Sequence, residues 1–242
     1  MTAAARTEFV TVPVSDGTAM NAYVARPGDD AKSAPAVVVF QEAYGVNDYI
    51  CDVTKRFAAL GMVAIAPELF HRSAPSGFTA NYGDMEAVRE HITKMTREGL
   101  EADIDATFSW LADDGGVDPE EMAAVGFCMG GRVAYVANSR TRLRAAISFY
   151  GGGIAPDLLP LASAQRGPIL MFWGGLDQHI APEQYRAVAD ALTEANATHE
   201  QVVFSQADHG FFCDQRASYN PIASRQAWAM LKEFLASYGA LP

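Results

Sequence analysis

Apolar and polar residues alternate from Thr7 to Val14 and again from Thr18 to Ala25, with Ser15-Asp16-Gly17 between the two runs. A period of two buries one face of a strand, and Asp-Gly between two such runs predicts an antiparallel hairpin. The pattern then changes. Ala36 to Phe40 is a continuous apolar run rich in valine, which suits a strand covered on both faces, as in a parallel sheet. Tyr49, Val53, Phe57 and Leu60 follow at helical spacing, with Asn47 as the predicted N-cap and Gly61 just past the end.

Strand-like and helix-like segments continue in turn. Short apolar runs at Met62 to Ala66, Met122 to Phe127, Ala145 to Tyr150, Ile169 to Trp173 and Gln201 to Phe204 predict strands. Glu86 to Ala112 has the helical period, with a break expected at Gly99. Met129 to Ser139, Pro182 to Ala195 and Asn220 to Leu235 predict further helices, the last two with proline in the first turn. A hairpin followed by repeated β–α units predicts an α/β protein with a mostly parallel central sheet, an antiparallel N-terminal hairpin and helices on both faces. No Pro-, Gly- or Ser-rich linker interrupts the alternation, so one domain over residues 1–242 is expected. Phe70 to Gly83, with Pro75 and Gly77, reads as a long loop and a candidate rim of an active site.

Composition narrows the class. Half of the 242 residues are hydrophobic and 19% are charged, enough to bury a core and too apolar for wholesale disorder. Eighteen Lys+Arg against 29 Asp+Glu give a net charge of −11, which argues against a nucleic-acid or anionic-membrane partner. The cysteines at 51, 128 and 213 form no CxxC pair, as in a reduced, cytoplasmic protein. The N-terminus lacks the apolar core of a signal peptide, and the longest apolar stretch, around Phe57 to Pro67, is too short to span a membrane. A monomer or small homo-oligomer is expected.

The sharpest chemical signal is Val125-Gly126-Phe127-Cys128-Met129-Gly130-Gly131, where an apolar strand turns into a helix. Small residues two positions before and after a nucleophile are what a tight strand-to-helix elbow demands, here with cysteine in place of serine. A helix N-terminus favours thiolate, the reactive form, and the Met129 N–H would point at the oxyanion of a tetrahedral intermediate. Alone, Cys128 reads equally well as an inert buried thiol.

A cysteine nucleophile needs a base, and the base needs an orienter. Asp177 follows the strand Ile169 to Trp173, and His209 follows the last strand. Both fall at carboxyl ends of strands, where open α/β sheets place ligands, and the order nucleophile, acid, histidine is that of α/β-hydrolases. Taken singly, Asp177 could cap a turn and His209 could be a packed or surface histidine. Glu42 closes the strand Ala36 to Phe40, where burying a charge is costly, although a solvent-facing loop Glu is the plainer reading. The Ala43 N–H after it is the expected second oxyanion donor. His179 is expected at the pocket mouth or in solvent. His71, His91 and His199 lack metal-ligand spacing, and no glycine-rich phosphate cradle is present, so neither metal nor cofactor is expected.

Gln41-Glu42-Ala43-Tyr44-Gly45-Val46-Asn47, the cysteine elbow, Gly174-Gly175-Leu176-Asp177 and Asp208-His209-Gly210-Phe211 together resemble the dienelactone hydrolase family of α/β-hydrolases, from about Thr7 to Leu235. The resemblance implies a carboxymethylenebutenolidase-type hydrolysis of an enol-lactone, as in the breakdown of chloroaromatic compounds. It gives Cys128 as nucleophile, His209 as base and acid, Asp177 as orienter, and Glu42 as the partner of the resting thiol. The type enzymes hold a substrate carboxylate with arginines, one of them four residues after the histidine. Here that position is Cys213, and Arg216 is the next arginine. Arg72 and Arg89 are candidates for the other, and Tyr44 and Phe211 complete the expected substrate-binding set. A broad carboxylesterase or thioesterase with the same residues, and a non-catalytic ligand-binding or redox-sensing protein, remain open alternatives.

Overall fold

A computed structural model describes residues 4–28 and 34–242. Residues 1–3, part of the stretch read above for a signal peptide, lie outside the described residues. The chain gathers into two compact units, Met1–Met122 with Leu241–Pro242, and Ala123–Ala240.

In the first unit β1 (Arg6–Pro13) and β2 (Ala19–Arg26) form the expected hairpin, in register from Arg6 opposite Arg26 to Pro13 opposite Ala19. Asp16 closes the turn by accepting both the N–H and the hydroxyl of Thr18. β3 (Ala36–Phe40) and β4 (Val63–Pro67) pair in parallel, and β4 pairs antiparallel with β2. Every residue of β3 and β4 is buried, which is why their sequences run apolar without alternation.

Helix α1 (Asp48–Ala59) starts at the predicted cap, with the Asn47 side chain accepting from the Ile50 N–H. The helical period over Glu86 to Ala112 is divided into α2 (Met85–Lys94) and α3 (Arg97–Asp113). The break falls at Met95 and Thr96, ahead of the glycine that predicted it. Thr96 caps α3 by accepting from the Gly99 N–H, so the cap residue, and not the glycine, sets the boundary.

The second unit repeats one motif. β5 (Met122–Phe127), β6 (Ala145–Phe149), β7 (Ile169–Gly174) and β8 (His199–Phe204) lie side by side in that order. The pairs β5–β6, β6–β7 and β7–β8 are parallel. Helix α4 (Met129–Arg140) joins β5 to β6, α5 (Pro182–Glu194) joins β7 to β8, and α6 (Pro221–Ser237) closes the unit. Strands β5 to β7 are wholly buried, whereas β8 is half-exposed. Phe127, Phe149, Phe172 and Phe211 are fully buried and in ring contact through Phe149. Each contributes about 1.5–3 kcal/mol of burial. Short 3₁₀ turns lie at Pro119–Glu121, capped by the Asp118 side chain, and at Leu159–Ala164, each with proline in its first turn. Among the described residues no helix is long and apolar enough to cross a membrane.

Candidate active site

The chain leaves β5 and turns into α4 at Cys128, whose backbone has φ 55° and ψ −117°. A side chain there is strained by about 1–3 kcal/mol. The flanking glycines make the turn possible. A Cβ on Gly126 would stand 1.8 Å from the Gly130 carbonyl oxygen, and one on Gly131 would stand 2.7 Å from the Phe149 carbonyl oxygen. The Cys128 N–H donates to the Phe149 carbonyl at 3.0 Å, tying the elbow to β6. Met129 is the first helical residue, so its N–H has no acceptor within the helix.

Two loops of the same unit meet Cys128. Asp177, in the turn after β7, accepts the backbone N–H groups of His179 and Ile180 on Oδ1, at 2.7 and 3.1 Å. Its Oδ2 lies 2.8 Å from His209 Nδ1. His209, in the loop after β8, places Nε2 3.1 Å from Cys128 Sγ. Asp177 and His209 are buried, and Cys128 is partly exposed. The His209 backbone N–H donates to Asp208 Oδ1 at 2.6 Å. Its ring lies 5.1 Å from the rings of Tyr150 and His179.

Burial by itself would push the His209 pKa down. The hydrogen bonds to Asp177 and Cys128, and the charges of both, outweigh it and raise the value to about 10. Burial likewise acts to raise Asp177, but the bond to His209 and the two backbone N–H groups hold its carboxyl below the usual range. Protonated His209 directs Nδ1 at the Asp177 carboxylate and Nε2 at the Cys128 sulfur.

The first unit holds the other expected residues. Glu42 is fully buried just after β3. Gln41 beside it pins the strand end, its Oε1 accepting the Leu69 N–H at 3.1 Å. Ala43 and Tyr44 are buried against Val88, Phe78 and Tyr82. Tyr44 also ties down the loop read as a rim. Its carbonyl accepts the Ala80 N–H, its hydroxyl oxygen accepts the Gly83 N–H, and its ring meets Tyr82 edge-on at 4.9 Å. Gly45 bridges to Thr79, and a Cβ there would stand 2.2 Å from the Phe78 carbonyl oxygen.

The arginines differ in what holds them. Arg72 is engaged by two acids: its Nη atoms fork onto Asp103 at 2.9 and 2.8 Å and its Nε donates to Asp16 at 2.7 Å. Arg89 is exposed on α2. The Arg216 guanidinium lies against the backbone of Gly210, next to His209; a Cβ there would stand 2.4 Å from Nη1. Phe211 lies in the aromatic packing under the His209 loop, against Tyr150 and Phe204.

The profile of the Dienelactone hydrolase family matches residues 20–239. The chain belongs to the dienelactone hydrolase family. A Synechocystis protein named "Putative carboxymethylenebutenolidase" is 36% identical over 242 residues, covering 96% of this chain and 97% of its own. A crystal structure described as a "Putative Dienelactone Hydrolase" from Klebsiella pneumoniae has 31% identity and a TM-score of 0.87, with 96% of this chain and 99% of that one covered. The propionate-bound Est2 esterase of Thermogutta terrifontis, at 21% identity, shares the fold with a TM-score of 0.67, over 97% and 95% of the two chains. The protein is a hydrolase with the α/β-hydrolase fold that its element order predicts.

Two features beside the His209–Cys128 pair, Tyr150 and Arg132, have no counterpart among the residues chosen from sequence. Tyr150 packs against His209 from a backbone with φ 39°. His179, expected at the pocket mouth or in solvent, meets the His209 ring edge-on. Arg132 sits on α4, four residues after Cys128.

Proposed function

We propose that this hydrolase cleaves a lactone or carboxylic ester through a thioester on Cys128, with His209 as proton carrier and Asp177 as its orienter. The observation that carries the reading is the continuous bond path from Asp177 Oδ2 through His209 to Cys128 Sγ, at 2.8 and 3.1 Å. The path ends at a strained elbow whose cysteine is partly exposed.

The Cys128 thiolate attacks the carbonyl carbon, and the N–H of Met129 receives the oxyanion. The tetrahedral adduct collapses, the carbon–oxygen bond breaks, and the leaving enolate or alkoxide takes the Nε2 proton of His209. Neutral His209 then takes a proton from water as the oxygen attacks the thioester. Loss of the thiolate releases the carboxylic acid and restores the imidazolium–thiolate pair. An enolate is a good leaving group, which suits a sulfur nucleophile and favours an enol-lactone.

Cys128→Ala removes the nucleophile and is expected to lower turnover of p-nitrophenyl esters and enol-lactones by at least about a hundredfold. Full turnover on every substrate of the panel would overturn the proposal. A higher kcat/KM for enol-lactones than for simple esters supports the lactone, and the reverse supports a broad esterase.

A further inference from the structure

Tyr150 is fully buried just after β6 and has φ 39°. An aromatic residue in the left-handed region is an outlier, and such strain persists only where the surroundings over-determine it. The chain is held on both sides of it. The Phe149 carbonyl accepts the Cys128 N–H at 3.0 Å, and the Tyr150 N–H donates to the Phe172 carbonyl at 2.8 Å. Gly151 lies against the first turn of α4, where a Cβ would stand 2.8 Å from the Gly131 carbonyl carbon.

Residues 149–152 thereby reach all three members of the proposed triad. Phe149 binds the elbow, and the Tyr150 ring lies 5.1 Å from the His209 ring at 58°. A Cβ on Gly152 would stand 3.6 Å from Ile180, whose N–H binds the Asp177 carboxylate. Tyr150 is itself enclosed by the rings of Phe127, Phe149 and Phe211. His179, the other ring against His209, is exposed and constrains it less.

Two bonds hold the imidazole in the resting protein, Nδ1 to Asp177 and Nε2 to Cys128. In the proposed reaction the second is lost once the sulfur is acylated, because a thioester sulfur has no proton and accepts weakly. The ring is then free to swing about its bond to Asp177, yet Nε2 must still face the water that attacks the thioester. A rigid aromatic neighbour limits that swing.

We infer that Tyr150 is a positioning residue for the second half of the reaction, its ring holding the His209 imidazole toward the hydrolytic water while Cys128 carries the acyl group. The inference rests on the proposed role of Cys128 as nucleophile. In this step the water oxygen bonds to the thioester carbonyl carbon, one water proton passes to Nε2, and the carbon–sulfur bond breaks to give the carboxylic acid and the thiolate.

The test is pre-steady-state hydrolysis of p-nitrophenyl acetate by the full chain, with mass spectrometry of the quenched protein. Tyr150→Leu is expected to keep the rate constant of the first p-nitrophenolate release within a fewfold of wild type, while kcat falls by at least about tenfold. The acetyl-enzyme then accumulates on Cys128, seen as a larger burst and a mass gain of one acetyl group. Tyr150→Phe, which keeps the ring, is expected to restore the wild-type partition. A first release that slows as far as kcat, an unchanged kcat, or a Tyr150→Phe as slow as Tyr150→Leu overturns the inference. Should Tyr150→Leu not fold, Tyr150→Asn decides by the same readings, since asparagine accepts a positive φ more readily. The outcomes separate: an inactive Cys128→Ala with an unaltered partition in Tyr150→Leu sinks this inference alone, whereas an active Cys128→Ala sinks the nucleophile itself.

Discussion

Asp177 holds His209 with one carboxylate oxygen and its own turn with the other. Oδ2 faces His209 Nδ1 at 2.8 Å, while Oδ1 accepts the N–H groups of His179 and Ile180. The backbone bonds fix the carboxylate independently of the histidine, so ring orientation follows from the turn. Asp177→Asn keeps the shape but loses the charge and can present an amide N–H to Nδ1. It is expected to lower kcat for ester hydrolysis by about 10²–10⁴ with a smaller effect on KM. Steady-state kinetics check this, and a kcat within a fewfold of wild type would refute the orienting role.

The raised pKa of His209 has a signed consequence for stability. Its folded value of about 10 stands above the ordinary histidine value of 6.5. The stabilisation is therefore fully present below about pH 6.5 and is lost as pH rises toward 10. Asp177 is shifted the other way, so its contribution is present above the ordinary value of 3.8 and is lost as pH falls through its lowered folded value. Unfolding free energy measured in urea is expected to decline between about pH 6.5 and 10. Cys128→Ala removes the sulfur's share of the shift, so the His209 ring resonances should titrate at lower pH than in the wild type. An unmoved midpoint in Cys128→Ala would contradict the imidazolium–thiolate pairing.

The three thiols differ in environment, and their reactivity should follow. Burial, with Asp48 nearby, pushes the Cys51 thiol up to about 11, and Cys213 is fully buried. Only Cys128 combines partial exposure with a neighbouring imidazolium. Brief treatment with iodoacetamide at neutral pH is expected to label Cys128 well before the other two, as read by peptide mass spectrometry. Equal labelling of Cys51 would contradict this.

Asp103 is a fully buried carboxylate that accepts Arg72 twice and lies 3.0 Å from His71 Nε2. Asp103→Ala leaves the guanidinium without its principal partner. The expected loss is about 3–5 kcal/mol of stability, with hydrolysis per folded molecule retained. Urea denaturation and activity at low temperature check the two halves. A loss of activity without a loss of stability would instead point to Arg72 in substrate binding.

Local patterns along the chain determined the hairpin, the strands and helices in order, and the elbow at Cys128. Each follows from a period, a cap or a steric rule acting within a few residues: Asp16-Gly17 for the turn, Asn47 for the start of α1, and glycine at 126 because a Cβ there would strike the Gly130 carbonyl. The nearness of His209 to Cys128 joins positions 81 residues apart, and only tertiary structure could establish it. The same holds for Arg72, whose long side chain could have reached many places. Its course was decided by Asp103, 31 positions away and buried in α3. Tyr150 went unnoticed for a related reason. It reads as the last residue of an apolar strand, but the His209 ring that it meets comes from a loop beyond β8. Periodicity reports which face of an element is buried, whereas the partner met by a charge on that face depends on contacts between elements distant in sequence.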